Sequence, residues 1–225
     1  MSISFKGRHF FKDIILMAVR WYVAYSLSCR EIEELMAERG VNVDHSTINR
    51  WVIQYSPKLL KAFKTKKKSV NNSWRMDETY IKVKGEWNYL YRAVDKFGNT
   101  IDFLLTKNRN KKAARKFFKK AIKSNGVPEK INIDKSGANK AGIDSINIEL
   151  PKDQQIEIRQ IKYLNNIAEQ DHRFIKKIVK STKGFKSFSS AAATLSGIEL
   201  HHMLKKGQHQ KTNFPVFKQF YLLAA

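Results

Sequence analysis

Cysteine is almost missing from this chain of 225 residues. Cys29 stands alone, which excludes an internal disulfide and any cysteine-rich zinc module and fits a reducing cytoplasm. Long apolar runs are missing too. The longest near the start, Ile14 to Val19, is too short to cross a bilayer and no small-residue cleavage site follows it, so neither a membrane anchor nor a signal peptide is expected. Four prolines and ten glycines form no low-complexity stretch, and no repeat recurs along the chain. The scarcest property is negative charge: 20 Asp and Glu face 43 Lys and Arg, a formal charge of +23. Such a balance calls for a polyanionic partner. Nucleic acid is favoured over a membrane surface, because the basic residues are spread along the chain among Trp, Tyr and Phe and belong to no single amphipathic helix.

What is present divides in two. From Lys12 to about Tyr25, apolar residues recur at three- and four-residue spacing and predict a helix. Ser28 and Glu31 have capping-box spacing ahead of a short helix over Arg30 to Arg39, which Gly40 ends. A third start signal lies at Asp44 to Ser46, with Ile48, Val52 and Leu59 on the periodic face and Pro57 as an expected break. Short helices joined by a Gly-containing turn make a helix-turn-helix. We therefore expect a DNA-binding domain over 1–63 and a basic linker over 64–73. In the remainder, 74–225, the periodicity changes. Trp74 to Thr106 reads as a three-strand meander, followed by a basic helix over Asn110 to Lys123, the strand KINID, a helix over Lys140 to Leu150, the strand IEIRQI and a helix over Asn165 to Val179. That order predicts a mixed α/β, ribonuclease-H-like fold, a mixed sheet with helices on its faces.

In a chain with few acids, the positions of three of them are informative. Asp77 lies in the first strand, Asp134 at the end of the fourth, and Glu169 early on the following helix. The fold order sets the first and fourth strands side by side and brings the helix across to them, so three carboxylates should meet. Carboxylates forced together repel, and hard divalent cations with oxygen ligands relieve the repulsion, which points to Mg²⁺ or Mn²⁺. Two such ions would serve an in-line phosphoryl displacement, so the expected chemistry is phosphodiester cleavage or transfer. Other acids fall outside the set. Asp95 reads as a turn residue, Asp102 lies in an outer strand, Glu78 points to the face opposite Asp77, and Asp171 lies about 200° round the helix from Glu169.

The stretches MDETYIKVKGEWNYLYRAVDKFGNTIDFLL, NIDK and IKYLNNIAEQDHRFIKKI, with CREIEELMAERGVNVDHSTINRWV before them, resemble the cointegrate-forming DDE transposases of the insertion sequence six family over nearly the whole chain. The 34 residues between Asp134 and Glu169 match the spacing of the DDE triad in many such enzymes. The resemblance implies a two-metal polynucleotidyl transferase that binds terminal inverted repeats, cuts one strand at each end and joins the freed 3′-hydroxyl to target DNA. It carries catalysis onto Asp77, Asp134 and Glu169, and onto Lys176, whose seven-residue offset returns it to within about 20° of the Glu169 face. The segment DKSGANKAG after Asp134 departs from the family pattern, in which a Pro-containing loop is usual.

At the amino-terminal end, His45, Ser46, Thr47, Asn49 and Arg50 open the second helix of the motif and should meet base edges in the major groove, Arg50 foremost; Ser46 and Thr47 could serve instead as caps or phosphate contacts. Lys66, Lys67 and Lys68, with Arg173 and Lys177, should hold phosphates without reading sequence. Trp51 is assigned to the core, His201 and His202 to an ordinary helix, and FPVFKQFYLLAA to core packing over an interface. The expected partners are double-stranded DNA and at least a second copy of the chain, since synapsis joins two ends. The competing readings are a helix-turn-helix repressor, a copy whose chemistry has decayed, and a nuclease of the same fold that cleaves but does not join.

Overall fold

The structure is a computed structural model that describes residues 3–7, 9–182, 184–211 and 213–225. It divides into two compact units. One comprises the described residues up to Lys68 together with Phe174–Ala225, and the other is Ser69–Arg173.

The first unit is helical. In α1 (Lys12–Ala24) the periodic apolar residues become a buried stripe of Ile15, Leu16, Val19, Tyr22 and Val23. α2 (Cys29–Ala37) opens on the expected capping box: the Glu31 N–H donates to Ser28 Oγ at 3.2 Å, and Glu31 Oε2 accepts from the Ser28 N–H at 2.6 Å. Asp44 caps α3 (His45–Lys64) by accepting from the Ser46 N–H at 2.8 Å. The break expected at Pro57 does not occur, and α3 runs through it. An interior proline costs a helix roughly 3 kcal/mol. Here Pro57 is exposed, while Ile48, Trp51, Val52 and Tyr55 before it and Leu59, Leu60 and Phe63 after it are buried, and that packing outweighs the cost.

α7 (Phe188–Lys205) and α8 (Val216–Leu222) complete this unit. Leu195, Ile198, Leu200, Met203 and Leu204 bury α7 on nearly every side, with α1, α3 and α8 packed on it. A helix apolar all round needs such cover, which is why 174–225 belongs with the amino-terminal helices and the unit boundaries differ from an expected division at 63 and 74. The basic stretch is tied down as well: the Gln210 N–H donates to the Lys66 carbonyl at 2.9 Å and the Lys68 N–H to the Gln208 carbonyl at 2.8 Å.

The second unit is built on a five-stranded sheet. β1 (Ser73–Val83), β2 (Glu86–Asp95) and β3 (Thr100–Thr106) form the expected antiparallel meander. Val83 pairs with Glu86 across a two-residue turn in which Lys84 and Gly85 both have positive φ, 52° and 84°, as the twist of a tight hairpin requires. α4 (Lys111–Asn125), β4 (Lys130–Asn132), α5 (Gly137–Asn147), β5 (Glu157–Arg159) and α6 (Asn166–Ser181) follow, α6 continuing into the first unit from Phe174. The strand order is β3-β2-β1-β4-β5, with β4 parallel to both β1 and β5. This is the mixed, ribonuclease-H-like arrangement expected from the sequence. Trp74 and Met76 of β1, Tyr91 of β2 and Ile131 of β4 share one core with Phe117 and Phe118 of α4 and Ile143 of α5. Among the described residues, no helix is long and apolar enough to cross a membrane.

Candidate active site

The sheet register brings the first two acids together. β1 and β4 run parallel with Arg75 opposite Asn132, so carrying each strand on by two residues sets Asp77 level with Asp134. Oxygens of Asp77, Glu78 and Asp134 all lie within 4.8 Å of one another. Glu169, in the first turn of α6, stands outside that group and is exposed, yet its charge reaches Asp77. Burial above all, then Glu78, with Asp134 and Glu169 adding to it, pushes the Asp77 carboxyl up to about 7 against a backbone hydrogen bond that lowers it.

Glu78 departs from expectation. Strand alternation turned it away from Asp77, but its side chain, only 4% exposed, belongs to the same cluster. The reach of a Glu side chain and the position of Asp134 beside both residues defeat the simple two-face rule. Arg109 joins two of the acids, donating from Nε to Glu78 Oε1 at 3.2 Å and from Nη2 to Asp134 Oδ2 at 2.9 Å. Burial raises the Glu78 pKa, and Arg109 works against that rise.

The segment after Asp134 orients it. The Ser136 N–H donates to Asp134 Oδ1 at 3.1 Å, and the side chain of Asn139, buried at the start of α5, adds Nδ2 at 3.3 Å. The unusual DKSGANKAG loop therefore carries its own means of holding the carboxylate.

Two sets of contacts hold the start of α6 on the sheet. Buried Asn132 donates from Nδ2 to Asn165 Oδ1 at 2.6 Å and to the Ile161 carbonyl at 3.0 Å, and its Oδ1 accepts from the Ile161 N–H at 3.1 Å. Further along, Asp171 pairs with Arg92 at 2.8 Å, with side-chain exposures of 11% and 1%; Arg92 is the register partner of Asp77 across β2. His172 Nδ1 lies 3.5 Å from Asp77 Oδ2. His172 follows Glu169 by three residues and shares its helix face, which ties that face to Asp77. Sequence reading missed Arg92, Arg109, Asn132, Asn139, Asn165 and His172. The three-residue offset from Glu169 was the one signal that could have singled out His172.

The remaining residues lie where the sequence set them locally. Lys176, Lys177 and Arg173 are exposed on α6. At the start of α3, Ser46, Asn49 and Arg50 are exposed, and Arg50 Nη2 donates to Thr47 Oγ1 at 2.7 Å. His45 is engaged by Glu33 at 3.0 Å and Asp44 at 3.3 Å, and Asp44 rather than Ser46 or Thr47 is the cap. Lys66 and Lys68 are exposed and Lys67 is partly covered. Asp95 is a turn residue as expected, accepting from the N–H groups of Phe97 and Asn99, each at 2.9 Å.

The fold and this acid cluster define a ribonuclease-H-like protein with a carboxylate site at the junction of β1 and β4. A family model described as a DDE domain matches residues 71–208, and one described as the transposase IS66 family matches residues 13–128. The chain is 44% identical over 202 residues to the transposase for insertion sequence-like element IS431mec of Staphylococcus aureus strain Mu50, covering 90% of this chain and 88% of the relative. It is 43% identical over 202 residues, with the same coverage, to the S. aureus transposase for insertion sequence element IS257 in transposon Tn4003. The chain belongs to the DDE-type transposases of insertion sequences. A looser likeness, at 18% identity and a TM-score of 0.40, covers 68% of this chain and 85% of the HTLV-2 integrase catalytic core domain, solved in complex with magnesium.

Proposed function

We propose that this transposase cuts one strand at each end of its insertion sequence and uses the freed 3′-hydroxyl to attack target DNA, yielding a cointegrate. The observation that carries the proposal is the convergence of acid oxygens within 4.8 Å in a chain of net charge +23, with Glu169 brought up on α6. The donors are carboxylate oxygens only, a set that fits Mg²⁺ or Mn²⁺ and not a soft metal. Asp77, Asp134 and Glu169 would hold two such ions. Bound there, the ions would activate the attacking oxygen and stabilise the departing one.

The chain's own residues do the positioning. Ser136 and Asn139 aim the Asp134 carboxylate, the Asn132–Asn165 pair and the Arg92–Asp171 pair hold the start of α6, and Arg109 offsets negative charge between Glu78 and Asp134. Lys176, two turns beyond Glu169, serves the phosphate under attack, with Arg173 and Lys177 beside it on the strand backbone. The helix-turn-helix of α2 and α3 reads the terminal inverted repeats through His45, Ser46, Thr47, Asn49 and Arg50, while Lys66, Lys67 and Lys68 hold phosphates. Two ends brought together require at least two copies of the chain.

The test is strand transfer in vitro, with a pre-cut terminal-repeat duplex, plasmid target and Mg²⁺ or Mn²⁺. Joined product should form only with the divalent ion. Asp77→Asn, Asp134→Asn and Glu169→Gln should each lower it by at least about 100-fold, the size of effect that even outer-shell partners of metal ligands can carry. Joining that survives in Asp77→Ala would overturn the assignment.

A further inference from the structure

The first unit holds a cleft of about 530 Å³, within the size range of small-molecule and nucleotide sites. Its lining combines two kinds of group. Arg20 of α1, Lys177 of α6 and Lys205 of α7 supply positive charge, and among the described residues no acid lines the cleft. Tyr25, Phe174 and Phe217 supply aromatic faces, and Tyr25 and Phe217 are 50% and 48% exposed, unusual for large apolar side chains in a water-facing position. The cations lie against the rings: the Arg20 guanidinium is 5.6 Å from the Tyr25 ring centre and the Lys205 ammonium 5.7 Å from that of Phe174. The floor is already built. Phe174 stacks on His202 at 4.3 Å, and Ser26 Oγ donates to the Lys177 carbonyl at 3.2 Å, joining the end of α1 to α6.

Two polar atoms of the lining have unused capacity. Arg20 Nε and His201 Nδ1 are both buried without a hydrogen-bond partner, which folded proteins rarely tolerate away from a ligand or water. Burial, with Arg20, Lys205 and His202 nearby, holds His201 down at about 4, so the imidazole is neutral at pH 7 amid surrounding positive charge.

We infer that this cleft takes an unpaired nucleotide of the DNA on which the enzyme acts, its base stacked on Tyr25 or Phe217 and its phosphate met by Arg20, Lys177 and Lys205. Exposed aromatic faces rimmed by cations are how proteins hold single strands without reading their sequence. A purely apolar ligand would leave the three cations unanswered, and an inorganic anion would leave the rings bare. The inference rests on the proposed action on DNA strands, since cutting one strand at a transposon end creates a free strand end whose last nucleotide can unpair from the duplex.

The test compares binding of a short labelled oligodeoxythymidine, of a blunt terminal-repeat duplex, and of the same duplex with a single-stranded tail. Tyr25→Ala and Phe217→Ala are the variants, with Phe97→Ala, exposed on the β2–β3 turn, as the control. The expected result is that the tail tightens wild-type binding and that each cleft variant weakens tail and oligodeoxythymidine binding by about tenfold, as the loss of one stacked base would. Blunt-duplex affinity should stay unchanged, and a photoactivatable thymidine in the tail should crosslink to Tyr25 or Phe217. Equal tail binding by wild type and cleft variants, or equal loss of tail and blunt-duplex binding, overturns the inference. If strand transfer proceeds while the variants bind the tail as wild type does, the cleft assignment fails and the proposed function stands. If the tail binds in the cleft but no strand is joined, the cleft stands and the transfer reading fails.

Discussion

At the scale of single residues, the acid cluster has a cost that pH exposes. The Asp77 carboxyl is at about 7 in the fold against 3.8 in an open chain. Between those values the folded chain keeps a proton that the unfolded chain has released, so Asp77 favours folding at the acid end and that contribution is lost as pH rises through about 7. In EDTA, the melting temperature of wild type relative to Asp77→Asn should therefore fall from about pH 4 to about pH 7, and Mg²⁺ should restore it at the upper end. A difference that stays level across that window would show that Asp77 is not held in a strained protonation state. Asp171 offers a second test. Its partner Arg92 is 1% exposed, and removing one member of a buried pair leaves the other charge under-compensated, so Asp171→Ala should cost about 3 kcal/mol in urea unfolding. The sequence set Asp171 about 200° round its helix from Glu169. It gave no sign of the arginine on β2 that would receive it, because that contact spans 79 residues.

At the scale of elements, helix starts were the most legible feature, since a cap is a local transaction between neighbours: Ser28 closes with Glu31 as their spacing implies, and Asp44 caps with Ser46 at the start signal read there, while the cap of Asn110 on Ala113 went unread. Contacts between helices were less legible. Gly197 on α7 reads as an unremarkable helix position, yet a Cβ built there would lie 2.5 Å from Ser56 Oγ and 2.7 Å from Val23 Cγ1. The glycine lets α7 close onto α3 and α1. Gly197→Ala should destabilise the fold by about 1–3 kcal/mol, or roughly 2–4 °C of Tm for each kcal/mol in a chain of this size, measurable by calorimetry. An unchanged Tm would mean that the three helices can move apart without loss. Pro57 was misread for a related reason: its local preference was visible, and the buried residues on either side that override it were not weighed against it.

At the scale of the whole molecule, the amino-terminal helices depend on the far end of the chain. A fragment of residues 1–68 would lose the cover that α7 gives to α1 and α3 and that α8 gives to α1, whereas the same fragment joined to 174–225 would keep it. Circular dichroism should find the first mostly unfolded and the second helical and cooperatively melting; a short fragment with native helix content would contradict the division into units. By itself, the sequence determined the local periodicities, the caps, the positive field that suits DNA, and the order of strands and helices that predicts a ribonuclease-H-like sheet. Each of these depends on neighbours in the chain or on totals over it. Only the tertiary structure decided that Glu78 joins Asp77 and Asp134, that Arg109, His172 and Asn139 surround them, and that the last helices close the first unit. These arrangements depend on how far side chains reach and on which surfaces remain to be buried, and neither is settled until residues distant in sequence have packed.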